Sequence, residues 1–254
     1  MTLSLVTVGT GTVAPSATRG SPAHWVEREG LRLLLDCGPG TMHHLVRFGL
    51  AWDRVTHIAL SHFHPDHFGE LPALLFALRH ATTRTDPVVV LGPPGTVQLV
   101  RRLADSFGDW MLDPGYPIGV LDLHAGEPFP LGASDTTLDV HPTPHTPESV
   151  ALAVQGPEGR IVYTGDTGPS DELGRWAEGA DVLLAECSLP DDRAIAGHLT
   201  PASAARLARV AGPKQLVLTH FYPQVEQVDI RAVVAREYSG PVTLAGDGDR
   251  FTVG

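Results

Sequence analysis

Lysine is almost absent: Lys214 is the only one in 254 residues. The other cations are arginines, scattered singly or in short pairs such as Arg101-Arg102, against a formal net charge of −11. Nucleic-acid affinity comes largely from neutralising phosphates, which calls for a basic patch or stripe. None is visible. No apolar run reaches the ~20 residues of a membrane-spanning helix. The opening Thr2-Leu3-Ser4-Leu5-Val6-Thr7-Val8 lacks a basic segment and alternates like a strand, so no signal peptide is expected. Cysteine is scarce too: Cys37 and Cys187 lie far apart, form no CxxC pair and suggest no disulfide framework. These absences together predict a cytoplasmic protein. No repeat of fixed period and no low-complexity segment appears.

What is present is an ordinary globular composition, 43% hydrophobic and 19% charged. A chain of this length has room for a sizeable core, and we expect a single domain over residues 1–254. Strand and helix patterns alternate throughout. Strands are expected at Leu3–Val8, Leu31–Asp36, Val55–Leu60, Asp86–Leu91, Leu138–His141 and Val150–Gln155. Further strands are expected at Arg160–Thr164, Asp181–Glu186, Lys214–Leu218 and Val242–Ala245. Gly156-Pro157-Glu158-Gly159 reads as a four-residue hairpin loop. Helical spacing covers Thr41–Phe48, a helix opened by Phe68-Gly69-Glu70-Leu71-Pro72 and running to Arg79, Thr96–Phe107, Glu172–Glu178, Ala202–Ala211 and Ile230–Glu237. This patterning alone supports a layered α/β fold. Residues 108–119 lack periodicity, and Trp110 and Tyr116 could roof a cleft, form a subunit contact or simply pack on the preceding helix.

The chemistry is concentrated in Ser61-His62-Phe63-His64-Pro65-Asp66-His67, directly after the apolar run His57-Ile58-Ala59-Leu60. Imidazole and carboxylate are the ligands that borderline divalent cations prefer, and one ion needs three or four of them. Four candidates packed this tightly suggest two neighbouring ions. More candidates follow at strand ends: His145 in His-Thr-Pro-Glu-Ser, Asp166 in Thr-Gly-Asp-Thr and His220 in Leu-Thr-His-Phe. His141 competes with His145. Leu138 and Val140 face one way and send His141 the other; His145 sits at the strand end beside Thr-Pro-Glu-Ser, and alternation alone leaves both candidates open. Gly9-Thr10-Gly11-Thr12 could cradle phosphate, but no P-loop helix follows, and it reads as a tight turn.

The His-x-His-x-Asp-His pattern, with His145, Asp166 and His220 following in order, resembles the metallo-β-lactamase superfamily. That resemblance implies a four-layer αββα sandwich. It also implies that His62, His64 and His145 hold one ion, that Asp66, His67 and His220 hold a second, and that Asp166 bridges them. A pair of ions about 3.5–4 Å apart lowers the pKa of a shared water and steadies attacking and leaving oxygens. Zinc suits the imidazole-rich set, with manganese or iron as alternatives. Asp36 resembles the family's buried Asp that supports the metal loop, although it could instead cap the helix that follows.

The Gly-Thr-Gly opening, Glu186 at a strand end and His198 in His-Leu-Thr resemble the ribonuclease Z-like phosphodiesterase branch. There the His donates a proton to the leaving oxygen or contacts the phosphate, and the Glu orients it. Asp66, Glu186 and His198 are therefore the expected catalytic residues, with His198 as a mere helix-start residue the bland alternative. Ribonuclease Z enzymes carry a long tRNA-gripping arm, usually inserted between the third ligand and the bridging Asp. Here His145 and Asp166 are 21 positions apart, and the hairpin fills that interval. The expected activity is hydrolysis of small phosphodiesters or nucleotides by a homodimer. The alternatives are an RNA endonuclease, or a lactonase or thioesterase using the same metals.

Overall fold

The computed structural model describes residues 2–132 and 135–254. Seven strands form the first sheet: β1 (Leu3–Gly9), β2 (Ala23–Arg28), β3 (Leu31–Leu35), β4 (His57–Ala59), β5 (Val88–Gly92), β6 (Ile118–Asp122) and β14 (Arg250–Val253). Seven more form the second: β7 (Phe129–Pro130), β8 (Thr137–Pro142), β9 (Val150–Gly156), β10 (Gly159–Tyr163), β11 (Val182–Glu186), β12 (Gln215–Thr219) and β13 (Val242–Leu244). The first runs in the order β14-β1-β2-β3-β4-β5-β6 and the second β13-β12-β11-β10-β9-β8-β7. In each sheet four antiparallel strands, counted from β14 or from β7, continue into parallel pairing.

Helices α1 (Thr41–Arg47), α2 (Pro65–Phe68), α3 (Leu71–His80) and α4 (Thr96–Phe107) follow strands of the first sheet. Helices α5 (Asp171–Trp176), α6 (Pro201–Ala211) and α7 (Ile230–Val234) follow strands of the second. Burial explains why the strands read as near-continuous apolar runs. Leu33 and Leu35 of β3 join Leu152, Ile161, Tyr163 and Leu184 between the sheets. Leu34 points the other way, into the layer with Leu71, Leu74 and Leu78 of α3. On the second sheet Val162 and Leu183 pack against Leu173 and Ala208 of α5 and α6. Both faces of each sheet are covered, and each fully buried leucine is worth about 1.5–3 kcal/mol. The result is the αββα sandwich.

Several boundaries differ from the sequence expectation. The ladder of β9 and β10 continues to Gly156 opposite Gly159, so the turn is Pro157-Glu158 rather than four residues. The last helix ends at Val234, short of Glu237. Strands β2, β6, β7 and β14 fall outside the strands expected from sequence. Residues 108–119 do not form a separate roof: Met111 and Tyr116 are buried in the helix layer, the Tyr116 hydroxyl donates to the Leu75 carbonyl at 3.3 Å, and Trp110 packs on Phe76. Packing on the helix layer, rather than a roof over the cleft, describes the buried residues of this segment. Among the described residues no helix is long and apolar enough to cross a membrane.

Candidate metal centre

Strand β4 delivers the metal loop. After it, Leu60 N–H bonds the Leu91 carbonyl, and the Ser61 carbonyl accepts from Val150 N–H of the second sheet. Pro65 opens α2 at a position where its missing N–H costs nothing, and this single turn sets Asp66 and His67 side by side. The chain passes so close that a Cβ on Gly38 would fall 2.0 Å from the Asp66 carbonyl oxygen. Only glycine fits there. The second sheet contributes His145 beyond β8, Asp166 beyond β10 and His220 beyond β12. Asp36 and His220 are the two non-glycine residues with left-handed backbone among those described, both at φ 59°. Such strain concentrates at functional sites, and both of these lie here.

The side chains converge. His62 Nε2 and His145 Nε2 lie 3.0 and 3.1 Å from His64 Nδ1. They are also 3.8 and 3.7 Å from Asp166 Oδ2. On the other side, His67 Nε2 and His220 Nε2 are 3.4 and 3.3 Å from Asp166 Oδ1, and each is 3.8 Å from Asp66 Oδ2. One carboxylate therefore faces two donor sets with separate oxygens. A tetrahedral ion with bonds of about 2.0–2.1 Å holds neighbouring donors about 3.3–3.4 Å apart, close to these separations.

The donor chemistry fits a cation more directly still. Among the described residues His67 Nε2, His220 Nε2 and Asp166 Oδ1 are buried without a hydrogen-bond partner. Leaving such atoms unpaired is costly. His67 donates its Nδ1 proton to Asp36 Oδ2 at 2.8 Å, and His145 donates Nδ1–H to the Gly197 carbonyl at 2.8 Å. A neutral imidazole has one N–H and one lone pair, so in its neutral form each ring has its lone pair on Nε2, facing the centre. Outer partners of this kind orient metal-binding histidines.

The electrostatics agree. Burial opposes charge on Asp166, but the surrounding His220, His67 and His62 hold its carboxyl well below the usual range. Burial likewise disfavours charge on His67, yet Asp166 and Asp36 raise its pKa well above 6.5. The pocket is built around positive charge. Burial, then neighbouring imidazoles, lowers the His62 pKa, which keeps that ring neutral and ready to ligate.

His198 sits beside the ligand set, its ring stacked on His220 at a centroid distance of 5.8 Å. Its Nδ1 donates to Glu186 Oε1 at 3.0 Å. Burial pushes the His198 pKa down, but the Glu186 bond and charge outweigh it and the net shift is upward. Glu186 is fully buried and also accepts from Thr167 N–H at 2.7 Å.

All ten residues singled out from sequence lie in this one region or against it. His141 does not: it stacks on Trp176 at 5.2 Å on the helix side. Asp36 caps no helix. It accepts from Ser61 N–H at 2.7 Å, His67 at 2.8 Å and the Tyr163 hydroxyl at 2.8 Å. Sequence reasoning missed Tyr163 and two serines, Ser61 and Ser188, whose hydroxyls contact the buried carboxylates. Their proximity to His62 and Glu186 in sequence was the one available signal.

Two facing sheets with a His/Asp cluster at their strand ends define a metal-dependent hydrolase of metallo-β-lactamase fold. Residues 31–221 match the family described as Beta-lactamase superfamily domain, and the chain belongs to that superfamily. A protein named Ribonuclease Z from Ignicoccus hospitalis is 30% identical over 290 residues, covering 92% of this chain and 94% of its own. The solved short form of human tRNase Z superposes with a TM-score of 0.80 at 27% identity over 99% of both chains. The metallo-beta-lactamase fold protein YhfI of Bacillus subtilis gives a TM-score of 0.85 at 23% identity, again over 99% of both chains, and speaks to the fold alone.

Proposed function

We propose that this chain hydrolyses small phosphodiesters with a pair of divalent cations, zinc in the first instance. The carrying observation is Asp166, whose two oxygens each face a separate histidine set. His62, His64, His145 and Asp166 would hold one cation; Asp66, His67 and His220 would hold the other, with the second oxygen of Asp166 3.4 and 3.3 Å from the His67 and His220 Nε2 atoms. Such cations supply Lewis-acid charge and lower the pKa of a water between them. The chain's own contribution is orientation and proton handling. With Nδ1 committed to Glu186, the proton His198 can transfer is the one on Nε2. Glu186 favours the charged ring that carries it, and a general acid at that point serves the departing oxygen.

A second reading, RNA cleavage, is favoured by the name its relatives carry. Against it stands what this chain lacks. The alignment to the Ignicoccus relative spans 290 positions but takes in 92% of 254 residues, about 234, so about 56 positions have no counterpart here. With one lysine and a net charge of −11, few phosphate contacts remain to replace them. A small diester needs little beyond the cations and His198.

The test is kcat/KM for bis-p-nitrophenyl phosphate, cyclic nucleotides and precursor tRNA on one preparation at physiological salt. Efficient turnover of the small diesters with poor tRNA processing is expected. A clear preference for precursor tRNA overturns the reading. The same preparation in light scattering tests the homodimer that the resemblance implies.

A further inference from the structure

Two buried hydroxyls occupy matching places on opposite sides of the centre. Ser61 Oγ lies 2.8 Å from Asp36 Oδ2 and 3.0 Å from His62 Nδ1. Ser188 Oγ contacts Glu186 Oε2 at close range and lies 2.8 Å from His220 Nδ1. Both serines are fully buried. A hydroxyl has one hydrogen, and a carboxylate can only accept. The hydrogen of each serine therefore goes to its carboxylate, which leaves the oxygen to accept from the ring. The consequence is a forced tautomer: His62 and His220 must each carry a proton on Nδ1, so that the neutral ring has its lone pair on Nε2.

The assignment matters because these rings have no direct acceptor of their own. His67 has Asp36, His145 has the Gly197 carbonyl and His198 has Glu186. His62 and His220 depend on a serine. They also fall in different donor sets, His62 with His64 and His145, His220 with Asp66 and His67. We infer that Ser61 and Ser188 are positioning residues, each relaying a buried carboxylate to one histidine and thereby tuning one cation site of the pair. This rests on the two-cation reading above.

Removing an outer partner of a ligating histidine typically costs about 10–100-fold in metal affinity. Ser61→Ala should impose that loss on the site containing His62, and Ser188→Ala on the site containing His220. Ser61→Thr and Ser188→Thr keep the hydroxyl and should keep wild-type affinity. Competition with a chelator, read as bound metal per chain, measures each variant, with circular dichroism of the metal-free form as the control for folding. Loss of one ion at a chelator concentration where wild type keeps two is the expected result. Two ions held with wild-type affinity in both alanine variants overturns the serine relay and leaves the two-cation reading intact. A wild-type protein that takes up no metal overturns both.

A second measurement needs no variant. Nitrogen-15 shifts of the imidazoles in metal-free wild type should report Nδ1–H for His62 and His220. An Nε2–H tautomer at either ring overturns the inference for that serine.

Discussion

Replacing Asp166 with asparagine tests the bridging role proposed for its carboxylate. The volume hardly changes, and the residue stays buried among the same rings. One oxygen becomes an amide nitrogen, which has no lone pair to offer a cation. Whichever way the amide turns, either the His62/His145 side or the His67/His220 side loses its oxygen, at positions that now stand 3.3–3.8 Å from those rings. The remaining oxygen still serves the other set. Loss of an outer partner costs about 10–100-fold in affinity, and a ligand counts for more, so we expect at least ~100-fold at one site, about 2.7 kcal/mol. The negative charge is lost as well, which weakens the second site by a smaller amount. Dialysed Asp166→Asn should carry one ion or fewer per chain by elemental analysis, with turnover of bis-p-nitrophenyl phosphate lowered in parallel. A dialysed variant that keeps two ions at wild-type affinity would falsify the bridging role.

Two other perturbations separate chemistry from assembly. His198→Ala should keep its metal and lose about 10²–10⁴-fold in kcat, the usual range for a missing general acid; metal loss would make His198 a ligand, and unchanged turnover a helix-start residue. Chelation should lower thermal stability, because the bare nitrogens and Asp166 lose their cation. At a free metal concentration of 100 times Kd, each bound cation adds about 2.7 kcal/mol. At about 2–4 °C per kcal/mol for a chain of this size, the expected drop in Tm is roughly 5–11 °C for each cation removed, and calorimetry with and without chelator shows whether it occurs.

The candidate centre was legible in the sequence because the ligand types a cation takes cannot be replaced by other residues of similar size. Imidazole and carboxylate leave their mark at fixed spacing, so His62, His64, Asp66 and His67 stood out at once, and the strand-end contexts picked out His145, Asp166 and His220. The supports were harder to see. A serine is common anywhere, and neither Ser61 nor Ser188 announces that its hydroxyl lies against a buried carboxylate. Asp36 remained open between two roles because a cap and a buried acceptor look identical in one dimension; its fully buried position and three side-chain donors decide the matter. Residues 108–119 were ambiguous for another reason. Their contacts are to α3 and α4 rather than to near neighbours of regular spacing, and periodicity reports only regular elements.

The most consequential feature left no trace in the sequence. The two sheets share one plan: antiparallel from β14 to β3 and from β7 to β10, then parallel from β3 to β6 and from β10 to β13. No fixed-period repeat accompanies it, because a strand covered on both faces demands only apolar residues of suitable size, and many sequences meet that demand. The shared plan brings strand ends from both sheets to one edge, where β4 supplies four side chains and β8, β10 and β12 one each. Asp36 after β3 and Glu186 at the end of β11 then stand as buried acceptors on opposite sides of the donors. Each holds one ring directly and a second through a serine. Rigid sheets thus fix the carboxylates, the carboxylates fix the ring tautomers, and the tautomers leave lone pairs converging on one space, as the proposed cation pair requires.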